Sequence, residues 1–220
     1  MRSFQQHWEE SESDFGGSSV KINPRDLDNR DSHKLNTAAI VPRPIAFVST
    51  IGEDGIFNLA PFSAYATICV KPAVVCFSVA PRRDGQKKDT LKNIEFSKDF
   101  VINVVNETLA GAMNKTSATF PSFVDEFEES GLTPIKSDLV KAPRVAESPI
   151  NMECKLVQIL PFGKSPNGSH LVIGEVVLFH VMDELYVNGE IQMSKLKAIG
   201  RLGGDFCCRT TDMFEMKRPE

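Results

Sequence analysis

Residues 41–105 read VPRPIAFVSTIGEDGIFNLAPFSAYATICVKPAVVCFSVAPRRDGQKKDTLKNIEFSKDFVINVV. Apolar runs of strand length alternate in it with polar knots rich in Ser, Thr, Asn, Lys and Arg. The run at 45–50 predicts a strand, Gly52-Glu53-Asp54-Gly55 a turn, and 56–60 the returning arm of a hairpin. Residues 73–80 are almost all apolar, which predicts a strand covered on both faces, and 100–105 give a fourth strand. Before that strand, Asp89-Thr90 followed by Leu91, Ile94 and Phe96 predicts a short helix with a capping residue at its start. Such a layout can hold a flat apolar ring against strands and an anionic tail against hydroxyls and cations.

The flanks extend the pattern. Residues 1–20 are polar, carry the only Trp, Trp8, and are predicted to be a mobile arm; a short helix follows at 32–39. Further on, short helices are predicted at 107–115 and 125–130, the second ended by Gly131. Strands at 152–160 and 171–182 flank a Gly/Pro/Asn turn at 161–169, and a last strand ends at Asn188-Gly189. No linker separates the β-rich halves, so residues 21–220 are read as one domain. Many short strands with few helices predict a closed or partly closed antiparallel barrel. There is no GxGxxG and no regular strand–helix alternation, which disfavours a dinucleotide-binding fold.

Composition removes other classes. The net charge of −4 in 220 residues argues against a general nucleic-acid or membrane-surface binder. The longest apolar run is broken by Gly174, Glu175 and His180 and is too short to span a bilayer. An N-terminus without a signal-like apolar core, and five cysteines without a CxxC pair, fit a reduced cytoplasmic setting. Histidines and cysteines do not recur at metal-ligand spacing, so no metal is expected. His180 is read as a hydrogen-bonded structural residue, and the carboxylates at 125–129 as a solvated helix face. No GxSxG elbow supports a hydrolase.

Three clusters remain as candidate binding elements. Val48-Ser49-Thr50 places hydroxyls at a strand end, where on local evidence a strand running into a turn is the better explanation. In Asn58-Leu59-Ala60-Pro61-Phe62-Ser63, Pro61 cannot donate to a ladder, so the strand is predicted to end or bulge there. Phe62 either walls a ring or fills the core, and Ala66-Thr67-Ile68 lie beyond it. Finally, Arg82, Arg83, Lys87 and Lys88 fall within seven residues just before a helix start, where free N–H groups favour phosphate.

These pieces, in this order, resemble the flavin reductase-like family, closest to its flavoredoxin and monooxygenase reductase-component branch. The matching residues are VPRPIAFVST at 41–50, NLAPFS at 58–63, KDTLKNI at 88–94, VDEFEESGLT at 124–133, SPINMECKL at 148–156, IGEVV at 173–177 and RLGGDF at 201–206. The resemblance implies an FMN-binding split β-barrel of Greek-key type with a few short helices, assembled as a homodimer. It implies that Ser49, Thr50, Ala66, Thr67 and Ile68 border the flavin, and that Asn58, Pro61, Phe62 and Ser63 shape its pocket. Lys88, Asp89, Thr90 and Arg83 would hold the phosphate, and Arg201 and Phe206 would complete the site. Phe47 and Phe206 replace the Trp and Tyr frequent in relatives, keeping an aromatic face and losing a polar handle. Implied is an NAD(P)H:flavin oxidoreductase serving a monooxygenase or other acceptor, with the cofactor carrying the chemistry and no catalytic side chain. Backbone N–H groups near Thr50 and Thr67 are the expected donors to the ring's polar edge. A flavoredoxin-like electron carrier without NAD(P)H activity is the alternative, and a binder of another phosphorylated aromatic such as pyridoxal phosphate ranks third.

Overall fold

The computed structural model describes residues 19–82, 84–164 and 168–219. The expected arm therefore lies almost wholly outside the described residues, as does Arg83. Hairpins β1 (Ala46–Ile51)–β2 (Phe57–Phe62) and β3 (Tyr65–Cys69)–β4 (Val74–Val79) are followed by β5 (Asp99–Val104). A small ribbon, β6 (Pro134–Ile135) with β7 (Arg144–Val145), precedes the long hairpin β8 (Ile150–Phe162)–β9 (Ser169–Val181). Short ribbons β10 (Tyr186–Val187)–β11 (Glu190–Ile191) and β12 (Ile199–Arg201)–β13 (Cys207–Arg209) close the chain. The helices are α1 (Asn29–Ala39), α2 (Asp89–Ser97), α3 (Ala110–Lys115), α4 (Glu126–Ser130) and α5 (Met193–Leu196).

Seven strands form one antiparallel sheet in the order β2-β1-β5-β8-β9-β4-β3. Its two edge strands, β2 and β3, are consecutive in the chain and separated only by Ser63 and Ala64. In a flat sheet, seven strands at about 4.8 Å spacing would set those edges roughly 29 Å apart. A two-residue link spans only about 11 Å. The sheet must therefore curl until its edges meet at Phe62 and Tyr65, and the product is a split half-barrel. The Ser78 N–H donates to Ala64 O at 2.9 Å, carrying the β3–β4 ladder back into the link.

The curl encloses Val48, Phe62, Phe77, Phe100, Ile102 and Val172, with Leu91 and Ile94 of α2 as a plug. A second core on the outer face of β1 and β2 joins Phe47 and Leu59 to Met113 of α3 and Phe127 of α4. β1 is thus covered on both sides, whereas β4 alternates: Val75, Phe77 and Val79 are buried and their neighbours only partly so. The expectation that the run at 73–80 is buried on both faces is corrected accordingly.

Two further expectations change for physical reasons. The strand at 56–60 does not stop at Pro61 but continues to Phe62. β2 is an edge strand, and Leu59 N–H already turns away from β1, toward Glu126. Pro61, two residues on, faces the same way, so its missing N–H costs no ladder bond. The predicted helix at 107–115 begins three residues late, at Ala110. Among the described residues no helix is long and apolar enough to cross a membrane.

Buried carboxylates hold the loop between β6 and β7. Glu153 accepts from Asp138 N (2.8 Å), Leu139 N (2.6 Å) and the His180 ring (2.6 Å), and Asp99 accepts from the Lys141 and Ala142 N–H groups. His180 is the structural residue expected of it. Burial alone raises Glu153, but these donors outweigh it and hold the carboxyl below its ordinary range. Its folded value is depressed, so its contribution is present above the unfolded value near pH 4.3 and lost as pH falls through the folded value. The melting temperature is expected to fall on acidification below about pH 4.3, and less so in Glu153→Gln. Equal acid slopes in the two proteins would remove Glu153 as the cause.

Candidate functional site

A cavity of about 700 Å³ opens between the outer edge of β2, the start of α2 and the loop at 116–120. Asn58, Ala60 and Pro61 give one wall, Arg82 and Lys88 another, and Arg201 closes a corner. It shares Pro61, Ser117, Arg201 and Asp205 with a neighbouring space of about 430 Å³ that Phe62 and Ser63 also line. The edge strand builds this wall because β2 lacks a sheet partner on that side; α4 and the loop before it stand in its place.

The cationic corner is electrostatically uneven. Asp89 takes ion pairs from both Arg82 and Lys92, and Arg82 also donates to Phe120 O at 3.2 Å. Lys88 forms no ion pair among the described residues; its ammonium lies 5.4 Å from the Phe62 ring centre. Burial lowers its pKa, and the nearby Arg82 charge lowers it further. Lys88 is also the N-cap of α2, and it supplies no side-chain cap. The expected capping role of Asp89 or Thr90 is thereby corrected: both lie inside the first turn, and their N–H groups are not capped by a side chain. A desolvated ammonium, a guanidinium and a bare helix start in one cavity are complementary to a phosphoryl group.

Behind this corner runs a buried polar chain. Thr90 Oγ1 donates to Asn58 Oδ1 (2.7 Å), and Asn93 Nδ2 donates to Thr50 Oγ1 (3.0 Å). Asn58 Nδ2 and Leu59 N both donate to Glu126 Oε2, at 2.6 and 2.8 Å. Burial pushes Glu126 above the usual carboxylate range; the two donors pull it back, and the Asp89 charge adds to the rise. The reading of the carboxylates at 125–129 as a solvated face holds for Glu128 and Glu129, which are exposed, and is corrected at Glu126, which is 8% exposed and turned inward.

The structure therefore brings together Asn58, Pro61, Lys88, Asp89, Thr90 and Arg201 at one cavity, with Phe62 and Ser63 in the adjoining space. Other expected site residues lie elsewhere. Phe47 is fully buried in the second core. Ser49 is sealed in the sheet, accepting from Asn103 Nδ2 at 3.1 Å and donating to Pro143 O. Thr50 backs the polar chain without lining the cavity. Ala66, Thr67 and Ile68 are exposed on the edge strand β3, and Phe206 is 74% exposed on the turn before β13. Arg82 of the predicted cationic cluster lines the cavity, as do Glu126 and the Ser/Thr-rich loop at 116–120, which the sequence did not mark as binding residues. Asp138, Glu153 and His180 bring three potential metal-ligating atoms together. Glu153 there already accepts three hydrogen bonds, and the Arg144 guanidinium lies 4.0 Å from it. This is a loop latch with its acceptors taken.

A curled antiparallel half-barrel that opens a cation-lined, largely polar cavity at its edge places the chain in the class of split-barrel proteins. Within that class the chain belongs to the flavin reductase-like family: the family model described as Flavin reductase like domain matches residues 38–194. Nitrilotriacetate monooxygenase component B from Bacillus cereus superposes with a TM-score of 0.87 and 35% identity, covering 91% of this chain and 100% of that one. The 2-nitrobenzoate 2-nitroreductase NbaA of Pseudomonas fluorescens follows with 0.82 and 32%, covering 91% and 96%. An uncharacterised protein of Aquifex aeolicus is 41% identical over 183 residues, which is 83% of this chain and 91% of its own.

Proposed function

We propose that the protein is an FMN-binding oxidoreductase that accepts reducing equivalents from NAD(P)H and passes them to a monooxygenase or another acceptor. The observation that carries this reading is Lys88: a half-buried ammonium without a carboxylate partner among the described residues, lining a cavity large enough for a flavin. One such cation cluster answers one phosphoryl group, which favours FMN over FAD. The remaining cation, Arg201, is engaged by Gly204 O (2.6 Å) and Asp205 (3.8 Å). Similarity to a protein named as a monooxygenase component supports an oxygenase as acceptor.

The donor set fits the group. Lys88, Arg82 and the first N–H groups of α2 would hold the phosphate; Pro61 and Ala60 offer apolar surface to the ring. Bound FMN would supply the hydride-accepting and electron-donating chemistry. The chain's own part is to fix the cofactor's orientation and to keep water from one face, and none of its side chains is assigned to proton transfer. The exposed residues 66–68 and Phe206 would reach a cofactor only across a homodimer interface, which is consistent with the dimer the family resemblance implies.

The test is direct. Purified protein mixed with FMN under anaerobic conditions is expected to bleach near 450 nm on adding NADH or NADPH. Bleaching by a reduced ferredoxin-like protein alone would reassign it as a flavoredoxin-like carrier. Failure to bind FMN at micromolar concentration would remove the flavin reading altogether.

A further inference from the structure

Glu126 is the one carboxylate of the cavity wall whose burial nothing in the cationic corner explains. No cation pairs with it among the described residues, although Arg82 and Lys88 line the same cavity and Arg82 pairs with Asp89 instead. Its Oε2 is committed to Asn58 Nδ2 and Leu59 N. Its Oε1 takes no hydrogen bond from another described residue, and the carboxylate also accepts from its own backbone N–H. The side chain borders the large cavity.

An ionised carboxylate accepts and cannot donate. It repels a phosphate, so a phosphorylated ligand must present hydroxyl or N–H donors at this point of the wall. The anion goes to Lys88, and the charge of Asp89, one residue on, is already felt at Glu126. The group that meets Oε1 is therefore close to the phosphate along the ligand. In a flavin mononucleotide the atoms next to the phosphate are those of the hydroxylated ribityl chain. Thr90 is 1% exposed and spends its proton on Asn58 Oδ1, so its hydroxyl does not serve the cavity as a donor.

We propose that Glu126 determines specificity for the polyol chain of the ligand, accepting a ribityl hydroxyl at Oε1 while its Oε2 fixes Asn58 and the β2 edge. This rests on the flavin reading above. A ligand without hydroxyls leaves a buried ionised acceptor stripped of water and unpaired, and sites of this kind reject such analogues strongly.

Riboflavin and lumiflavin share the ring, and lumiflavin lacks the polyol. Dissociation constants for both, and for FMN, are measured by flavin fluorescence quenching with the wild-type protein and with Glu126→Gln. Glutamine keeps one carbonyl oxygen for Asn58 and Leu59, and circular dichroism and melting temperature report whether the fold is kept. The wild type is expected to prefer riboflavin over lumiflavin by about tenfold or more. Glu126→Gln should cut that ratio about fivefold, as a charge-assisted bond becomes a neutral one. The lumiflavin constant should hold or tighten, because no unpaired charge is left behind, and the gain from riboflavin to FMN should hold or rise, because a charge that repels the phosphate is gone. A merely structural role would weaken all three ligands together. An unchanged riboflavin-to-lumiflavin ratio in a folded Glu126→Gln overturns the proposal while leaving FMN binding by the wild type intact. Absence of FMN binding by the wild type would instead remove the reading it rests on.

Discussion

Lys88→Ala is expected to weaken FMN binding about 100-fold, because a desolvated ammonium bonded to phosphate contributes roughly 2–3 kcal/mol. At this corner Asp89 is already paired with Arg82 and Lys92. Arg82 and Lys92 share that carboxylate, and Lys88, which forms no ion pair among the described residues, lies over the Phe62 ring. Burial penalises the charged lysine in the free protein, so removing it costs the fold little. The lost cation–π contact is worth about 1 kcal/mol at most at a partly exposed site, and the relieved desolvation offsets part of it. The melting temperature of the free protein should therefore move by only about 2–3 °C. Riboflavin, which lacks the phosphate, should bind the variant and the wild type within about threefold. Equal losses for riboflavin and FMN would mean that Lys88 shapes the cavity and does not meet the phosphate. Raised salt should weaken FMN binding to the wild type more steeply than to the variant, because one fewer charge pair is screened.

The sheet was legible where periodicity had one answer. The hairpin of β1 and β2, the helix after Lys88 and the Asn188-Gly189 turn follow from local rules that tertiary packing did not overrule. Both turn residues have positive φ, 54° and 85°, as a tight hairpin requires. β3 was passed over because its residues are mostly exposed, so YATIC carries no alternation of burial to read. The curl itself was visible only as a count of short strands; what enforces it is the two-residue link between opposite sheet edges, a fact of strand order. Phe47 and Ser49 sit beside site residues in the chain, but β1 lies inside the sheet and both of its faces are covered. Adjacency in sequence did not carry them to the cavity. Glu126 was hidden for the opposite reason. It belongs to an acidic run that reads as solvated, and only the wheel position of Phe127 and Ser130, both buried, marks its helix face as inward. Even that signal gives burial and not the partner, because Asn58 and Leu59 are more than sixty residues away.

The aromatic residues tie the barrel's interior to the site, and Gly174→Ala tests that link. A Cβ at position 174 on β9 would stand 2.4 Å from Phe100 Cζ and 2.8 Å from Cε1. Phe100 is fully buried and cannot swing out; its ring lies edge-on to Phe77 at 5.4 Å, and Phe77 lies 5.2 Å from Phe62. Interiors are packed close to crystal density, so the added methyl has to displace a row of rings. Overpacking of this kind costs about 2–3 kcal/mol, which lowers the melting temperature of a chain this long by roughly 5–10 °C. The displacement runs toward Phe62, which borders the ligand space and carries Lys88 above its ring. FMN affinity should accordingly fall a few-fold in a variant whose substitution lies across the barrel from the phosphate corner. Phe100→Leu removes the obstructing ring atoms and by itself leaves a cavity. Combined with Gly174→Ala it should lose less stability than the two single changes added together, with a coupling of about 1 kcal/mol or more. Additive losses in thermal or denaturant unfolding would show that the glycine is there for a reason other than the Phe100 ring.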